Sequence, residues 1–227
     1  IRHLTINNTG GDSVSIGVNT EDVVDGTVSM LHVTATGTGG TNSNYGVRNS
    51  SSSPSMTDVT ATGTGGTNSY GVFNVSSSPS MTNVTATATG GTYSNYGVYN
   101  YNSSPSMTDV TATGTGGTYS YGVYNYSSSP SMSDVTATGT GGTYNYGVYN
   151  NSSSPTMSDV TATATGGTYN RGVVNYLSSP SMMNVTATGT GGTNSDGVYN
   201  DSSSSPSMTD VTATATGGTY SNYGVYN

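Results

Sequence analysis

The stretch VTATGTGGT at residues 59–67 decides the fold of this chain, because it returns at a fixed period. Copies of the unit, with Gly or Ala in the fifth place, open at residues 33, 59, 84, 110, 135, 160, 185 and 211. Their spacing is always 25 or 26 residues. Self-similarity at a period of about 20–50 residues is typical of stacked repeat architectures. We therefore expect residues 1–227 to form a single repeat domain.

Each repeat contains three short extended segments. In one repeat they are PSMT at 54–57, VTATGT at 59–64 and YGVFN at 70–74, separated by turn residues. The second segment alternates strictly, so its Val, Ala and Gly face inward and its Thr face outward. Because no stretch has helical periodicity, the pattern predicts an all-β fold: a single-stranded parallel β-helix (β-solenoid) of about nine coils, with three short strands per coil. The handedness preference of parallel crossovers favours a right-handed coil.

Residues 1–29 fit the same template as an atypical first coil, and residues 30–227 form eight regular coils. The apolar residues that fall on the Met, Val, Ala, Tyr and Val positions of the later coils are Ile1, Leu4, Ile6, Ile16 and Val18. The return loop at 19–26 is charged and lacks Pro, which is typical of a capping coil. Because the last coil ends on a standard third strand, we expect the array to continue or to stack on another molecule.

Composition excludes several functional classes. The net charge is −8 with only three basic residues, so a nucleic-acid or anionic-membrane surface is not expected. The chain has no Cys, hence no disulfide framework and no thiolate metal site. No cofactor is expected. The two His and three Arg do not converge with carboxylates in any regular coil, which indicates a protein that is not an enzyme.

The runs YGVYN at 121–125 and SSPSMSDVT at 128–136 resemble the repeat of bacterial surface proteins in the pectin-lyase-like, right-handed parallel β-helix group. That repeat reads roughly GGIYN, a Ser-rich turn, then SPTITNCTF. The resemblance covers nearly the whole chain and implies the fold, while the group includes adhesins, phage tailspikes and polysaccharide lyases. Val-Thr-Ala stands where the family often has Cys-Thr-Phe, which implies a thinner core.

The outward threonines form the most regular surface. The predicted face comprises Thr60, Thr62, Thr64, Thr85, Thr87, Thr89, Thr111, Thr113, Thr115, Thr136, Thr138, Thr140, Thr161, Thr163 and Thr165. One interpretation, which we favour, is structural: β-branched residues suit an exposed strand and form cross-strand hydroxyl pairs. The other is ice binding, because a flat array of hydroxyls and methyls resembles that of β-solenoid antifreeze proteins.

Aromatic and amide side chains form two further columns. The outward aromatic ladder comprises Phe73, Tyr99, Tyr124, Tyr149, Tyr199 and Tyr226, and is expected to stiffen the sheet and offer lateral contacts between rods. An inward structural ladder of amides comprises Asn49, Asn74, Asn100, Asn125, Asn150, Asn175 and Asn200.

The position before the third-strand Gly holds Tyr in most repeats, but Arg171 and Asp196 in two neighbouring ones. We predict an ion pair between these two residues, worth under about 1 kcal/mol at an exposed site. We also expect that this position is not deeply buried.

A column of Asp and Asn precedes the Val of each repeat. Its consecutive acids Asp109, Asp134 and Asp159 are candidate calcium ligands, since calcium prefers oxygen donors. The same residues suit turns in which a side chain bonds its own backbone, and the interchange of Asp with Asn favours that interpretation. A stack of His3, His32 and Asp58 is a weaker metal candidate.

The chain is therefore expected to be an extracellular or cell-surface structural solenoid, either a filament subunit or an adhesin stalk. We expect it to assemble with itself by end-to-end stacking and by lateral Thr and Tyr contacts. Ice binding through the Thr face is the first alternative. A polysaccharide-binding, tailspike-like protein is the second, with glycans as partners.

Overall fold

The computed structural model describes residues 1–23 and 28–227, and the described residues form a β-solenoid without helices. The chain winds through two sheets, one of nine strands and one of thirteen. Every pairing is parallel and joins equivalent residues of neighbouring coils, as in Val59 with Val84. This register confirms the predicted stacking of equivalent residues.

We call the thirteen-stranded sheet A and the nine-stranded sheet B. The strands of sheet A are β1 (Arg2–Asn8), β3 (Ser29–Thr38), β5 (Ser55–Thr64), β7 (Ser80–Thr89), β9 (Ser106–Thr115), β11 (Ser131–Ser133), β12 (Thr136–Thr140), β14 (Thr156–Ser158), β15 (Thr161–Thr165), β17 (Ser181–Met183), β18 (Thr186–Thr190), β20 (Ser207–Thr209) and β21 (Thr212–Thr216). The strands of sheet B are β2 (Val14–Glu21), β4 (Ser43–Ser50), β6 (Asn68–Val75), β8 (Ser94–Tyr101), β10 (Tyr119–Tyr126), β13 (Tyr144–Asn151), β16 (Tyr169–Tyr176), β19 (Asn194–Asp201) and β22 (Ser221–Tyr226).

The first two predicted strands of a repeat are continuous in the early coils and separate in the later ones. In β5 a single strand runs through both, bent at Asp58, whose φ is 52°. From β11 onward the same bend divides the strand in two, as at Asp134 with φ 54°. Each coil therefore has about three strand segments on two sheets.

The core consists of columns of identical residues between the two sheets. Sheet A contributes Met, Val and Ala, and sheet B contributes Val, each essentially without solvent exposure in the middle coils. The sheets approach so closely that a Cβ on Gly71 of sheet B would lie 2.5 Å from the backbone N of Thr87. This contact restricts the position to Gly and keeps the core thin, as the small side chains indicated.

The first coil pairs with the second in the predicted register. Leu4 lies beside Val33, and Ile16 beside Tyr45. Val18 is buried, but several apolar side chains of this coil remain exposed, since Leu4 is 42% and Val14 is 47% accessible. The described part of this coil is thus not a polar cap. Residues 24–26 of the predicted capping loop lie outside the described residues.

Candidate functional surfaces

The predicted threonine face is present as three outward columns on sheet A. Thr111, Thr136 and Thr161 are neighbours in successive coils, as are the equivalents two and four residues further along. The column that includes Thr136 is exposed, and the other two are partly covered by their neighbours. Parallel pairing without slippage makes this face regular in both directions.

The hydroxyls of this face do not bond each other. Within residues 1–23 and 28–227, no hydrogen bond joins two threonine side chains of the grid, so the predicted hydroxyl pairs were wrong. The reason is spacing, because parallel strands lie about 4.8 Å apart. A hydroxyl bond needs about 2.8 Å between its oxygens. The donors and acceptors of this face are therefore free to meet an external partner.

Four aromatic columns lie on the outer face of sheet B, and in β10 they contain Tyr119, Tyr121, Tyr124 and Tyr126. The first of them runs from Tyr119 through Tyr144 to Tyr169. The two middle ones are an inner column, which contains Tyr121, and the predicted outer ladder, which contains Tyr124. The inner column stacks Tyr45, Tyr70, Tyr96, Tyr121 and Tyr146, with ring centroids 4.5 to 5.1 Å apart. The inner column and the predicted outer ladder both face outward because the strand alternation is interrupted between them. The interruption is a Gly-Val pair, Gly122 and Val123 in β10, whose two residues both face the core. Side chains three residues apart, such as Tyr121 and Tyr124, thus share one face at 5.0 Å.

The predicted outer ladder is present but not continuous. Phe73, Tyr99 and Tyr124 follow each other at 5.1 and 4.9 Å, and Tyr199 stacks on Tyr226 at 4.7 Å. Tyr149 meets Tyr124 edge-on at 5.2 Å. The ladder is interrupted at the buried Val174.

Burial keeps these phenols neutral. Desolvation raises the pKa of Tyr96 to about 12, and it raises the pKa of Tyr149 to about 12 against the opposing charge of Arg171. The pKa of Tyr121 is also well above its usual range for the same reason. Such tyrosines pack as apolar rings and are unsuited to act as bases or nucleophiles at neutral pH.

Arg171 and Asp196 form the predicted ion pair, with Arg171 Nε donating to Asp196 Oδ2 at 2.9 Å. The expectation of an exposed position was wrong, since Asp196 is only 2% accessible. The neighbouring aromatic rings cover it, as the guanidinium lies 3.7 Å from the Tyr199 ring centre. Burial raises the pKa of Asp196, and the hydrogen bond and charge of Arg171 oppose that shift.

The predicted amide ladder runs the length of the rod in the core. Each Nδ2 donates to the Oδ1 of the next coil, from Asn49 to Asn227, at 2.6 to 3.0 Å. Thr20 Oγ1 donates to Asn49 Oδ1 and extends the ladder into the first coil. The side chains thus repeat the hydrogen bonding of the backbone.

The sequence analysis missed a pair of serine ladders and a set of hydrogen bonds that closes the turn within a coil. Ser52 N donates to Ser77 Oγ, while Ser78 N donates to Ser53 Oγ, so paired serine columns run in opposite directions. At the Gly-Gly turn, the amide of Asn95 accepts from and donates to Gly91. Two features of the sequence could have indicated these hydrogen bonds. One is the Ser run that returns between successive regular repeats, and the other is the Asn or Ser that directly precedes the inner aromatic column, as Asn95 precedes Tyr96.

The Asp and Asn column has a backbone function. All nine of its members adopt left-handed φ values of 50° to 55°. Asn, Asp and His tolerate this region best, which explains their interchange, and the position is a bend within sheet A rather than the predicted side-chain turn. The residues of this column are His3, His32, Asp58, Asn83, Asp109, Asp134, Asp159, Asn184 and Asp210.

The acids of this column do not converge on a cation. Within the described ranges, no group of three His, Asp or Glu side chains is placed to hold a metal. Ser133 donates to Asp134 and Ser158 to Asp159, which uses the carboxylates locally. The calcium candidates Asp109, Asp134 and Asp159 thus gain no support from the geometry. His3 stacks on His32, which pairs with Asp58 at 3.2 Å.

The part of the chain that the structure describes includes no helix long and apolar enough to cross a membrane. Comparison of the chain with protein-family models and with curated proteins finds no match. Function is therefore argued from the surfaces themselves.

Proposed function

We propose that this chain is a non-enzymatic structural rod of an extracellular fibre or adhesin stalk, which associates laterally with copies of itself. The observation that carries this proposal is the continuity of its ladders. The amide and serine columns tie coil to coil along the rod, and stacked aromatic rings on the outside add to them in most coils. Such redundancy suits a spacer that must stay straight under load.

The outer faces suit lateral packing. The threonine face of sheet A carries no formal charge over three columns and lacks Lys, a residue that often blocks association of β surfaces. Small alternating side chains on flat in-register strands can interdigitate with an equivalent face. Association along the rod axis by coil stacking stays a prediction.

Electron microscopy and sedimentation velocity test the assembly. Wild-type protein is expected to form bundles or paired rods as its concentration rises. The double variant T138K/T163K places two charges on adjacent coils of the face and is expected to remain monomeric. The matched control S131K adds a charge on exposed Ser131, across the bend of the same sheet, and is expected to assemble like wild type. Monomeric wild-type protein at all concentrations would contradict the proposal.

Ice binding is a second candidate, favoured by the unpaired hydroxyls of the threonine face. A regular array of free hydroxyls and methyls, held rigid by two sheets, can order water or match an ice surface. Thermal hysteresis measures this activity directly. Activity in wild type, loss in T138K/T163K and retention in S131K would support it, and absence of hysteresis in dilute monomeric protein would exclude it.

A further inference from the structure

The outer face of sheet B departs from its repeat in two neighbouring coils. Arg171 and Asp196 replace Tyr in the inner aromatic column, and Val174 replaces the aromatic residue of the outer column. The smaller and more polar side chains leave a cleft of about 250 Å³. Its walls include Tyr169, Arg171, Asn194, Asp196, Tyr199 and Tyr223.

Asp196 supplies an acceptor that is not satisfied within the described residues. Its Oδ2 accepts from Arg171, but its Oδ1 is buried without a hydrogen-bond partner. Leaving such an oxygen unpaired costs free energy, because its hydration is lost without replacement. A hydroxyl donor in the cleft would complete its hydrogen bonding once the covering side chains shift, because this oxygen has almost no exposed surface.

Arg171 and Asn194 supply donors. The guanidinium engages Asp196 through Nε, and its central carbon lies 3.7 Å from the Tyr199 ring centre. Its other nitrogens make no hydrogen bond to a described residue. Asn194 uses its Oδ1 to accept from Ser221 Oγ at 2.7 Å, and its amide nitrogen makes no such bond. The cleft thus offers donors from Arg171 and Asn194 together with the Asp196 carboxylate.

We propose that this cleft binds one sugar ring of a neutral glycan chain. Vicinal sugar hydroxyls both donate and accept, so they match a carboxylate flanked by guanidinium and amide donors. The ring's C–H face suits the tyrosine rings that line the cleft, such as Tyr169. The volume lies just below the range of about 300–1,000 Å³ for drug-sized ligands, which suits a single ring. Because Asp196 already neutralises Arg171, an anionic ligand is less well matched.

This proposal goes beyond the structural role and does not depend on it. The binding test uses saturation-transfer NMR on the full chain, with irradiation of aromatic protons. The probes are hexasaccharides of glucose, mannose and galactose, with oligogalacturonate as the acidic comparison. We expect transfer to at least one neutral probe, strongest on consecutive protons of one ring.

Two variants restore the regular column and should close the cleft. R171Y/D196Y rebuilds the inner tyrosine ladder, and N194Y extends the ladder that contains Tyr169, while leaving the ion pair intact. Each is expected to weaken binding about tenfold or more, since hydrogen bonds to charged groups contribute at least that factor. The control R48Q removes the other arginine of this face and should bind as wild type does.

Three results would overturn the proposal. They are the absence of transfer to every neutral probe, undiminished binding by a folded R171Y/D196Y or N194Y, and tighter binding of oligogalacturonate than of all neutral probes. Circular dichroism establishes that each variant is folded, and N194Y serves as the test should R171Y/D196Y fail to fold. Bundle formation by electron microscopy is measured separately, so that loss of one function is distinguishable from loss of the other.

Discussion

Replacing Asn125 by Ala interrupts the amide ladder in the middle of the rod. Asn125 accepts from Asn100 and donates to Asn150, both at 2.9 Å, and all three side chains are buried. The substitution leaves one donor on Asn100 and one acceptor on Asn150 without partners. At about 1–3 kcal/mol for each buried orphan, the free energy of unfolding should fall by about 2–6 kcal/mol.

Double variants make this reasoning quantitative. In N100A/N125A the shared hydrogen bond is removed from both sides, so two groups are orphaned rather than the four expected from adding the single variants. Its cost should therefore fall short of the sum by about 2–6 kcal/mol. The control N74A/N150A removes two amides that do not contact each other, orphans four groups and should be additive.

Urea unfolding followed by circular dichroism measures these differences, with coincident transitions checked because long repeat arrays can lose cooperativity. The surface control T136A should stay within about 0.5 kcal/mol of wild type. Additive behaviour of N100A/N125A, or an N125A variant as stable as T136A, would refute the view that the ladder is an essential part of the core.

Three further predictions concern the close contact between the two sheets at Gly71 and the pKa values of Tyr96 and Asp159. Gly71→Ala would place a Cβ 2.5 Å from Thr87 N and should lower the unfolding free energy by about 3 kcal/mol or more in a urea titration, unless the sheets separate. Ultraviolet titration should show Tyr96 ionising with a pKa of about 12. Because the pKa of Tyr96 is raised in the folded state, its contribution to the free energy of unfolding is complete below the unfolded pKa. That contribution is lost as the pH rises through the folded pKa. Hydrogen bonds from Ser158 and Asn184 lower the pKa of Asp159 in the folded state. The contribution of Asp159 to the free energy of unfolding is therefore present above the unfolded pKa and is lost as the pH falls through the folded pKa. An NMR titration of S158A should show a higher pKa for Asp159 than in wild type.

The sequence was sufficient to predict the features of the fold and of the surfaces that depend only on the repeat. A fixed period of 25 or 26 residues determines that equivalent residues stack, and the amide ladder and the Arg171–Asp196 pair follow from that stacking. These features need only the register, which a repeat specifies without knowledge of the cross-section. Side chains inward by strict alternation, such as Val135 and Ala137, were also placed in the core.

What failed was the geometry within one coil. Alternation assumes a regular strand, but Gly122 and Val123 both face inward because the Gly lies against the backbone of sheet A. This break puts Tyr121 and Tyr124 on one face and accounts for the burial of Asp196, two of the points that the pattern did not give. The left-handed bend at Asp134 was interpreted as a turn, because the inward residues Met132 and Val135 are three apart and interrupt the alternation there. In the structure one αL residue produces this interruption within sheet A.

The two proposed functions differ in how they respond to substitution, and the reason lies in copy number. The threonine face repeats a unit over many coils, so one substitution removes a small part of the surface and the loss is shared with its neighbours. Two lysines on adjacent coils are needed there, because a single substitution changes only a small part of an extended interface. The Arg171–Asp196 pair that lines the cleft occurs once among the described coils, so a change in one coil should be enough to weaken binding there. A function that declines gradually with the number of altered coils belongs to the face, and one that N194Y alone weakens about tenfold or more belongs to the cleft.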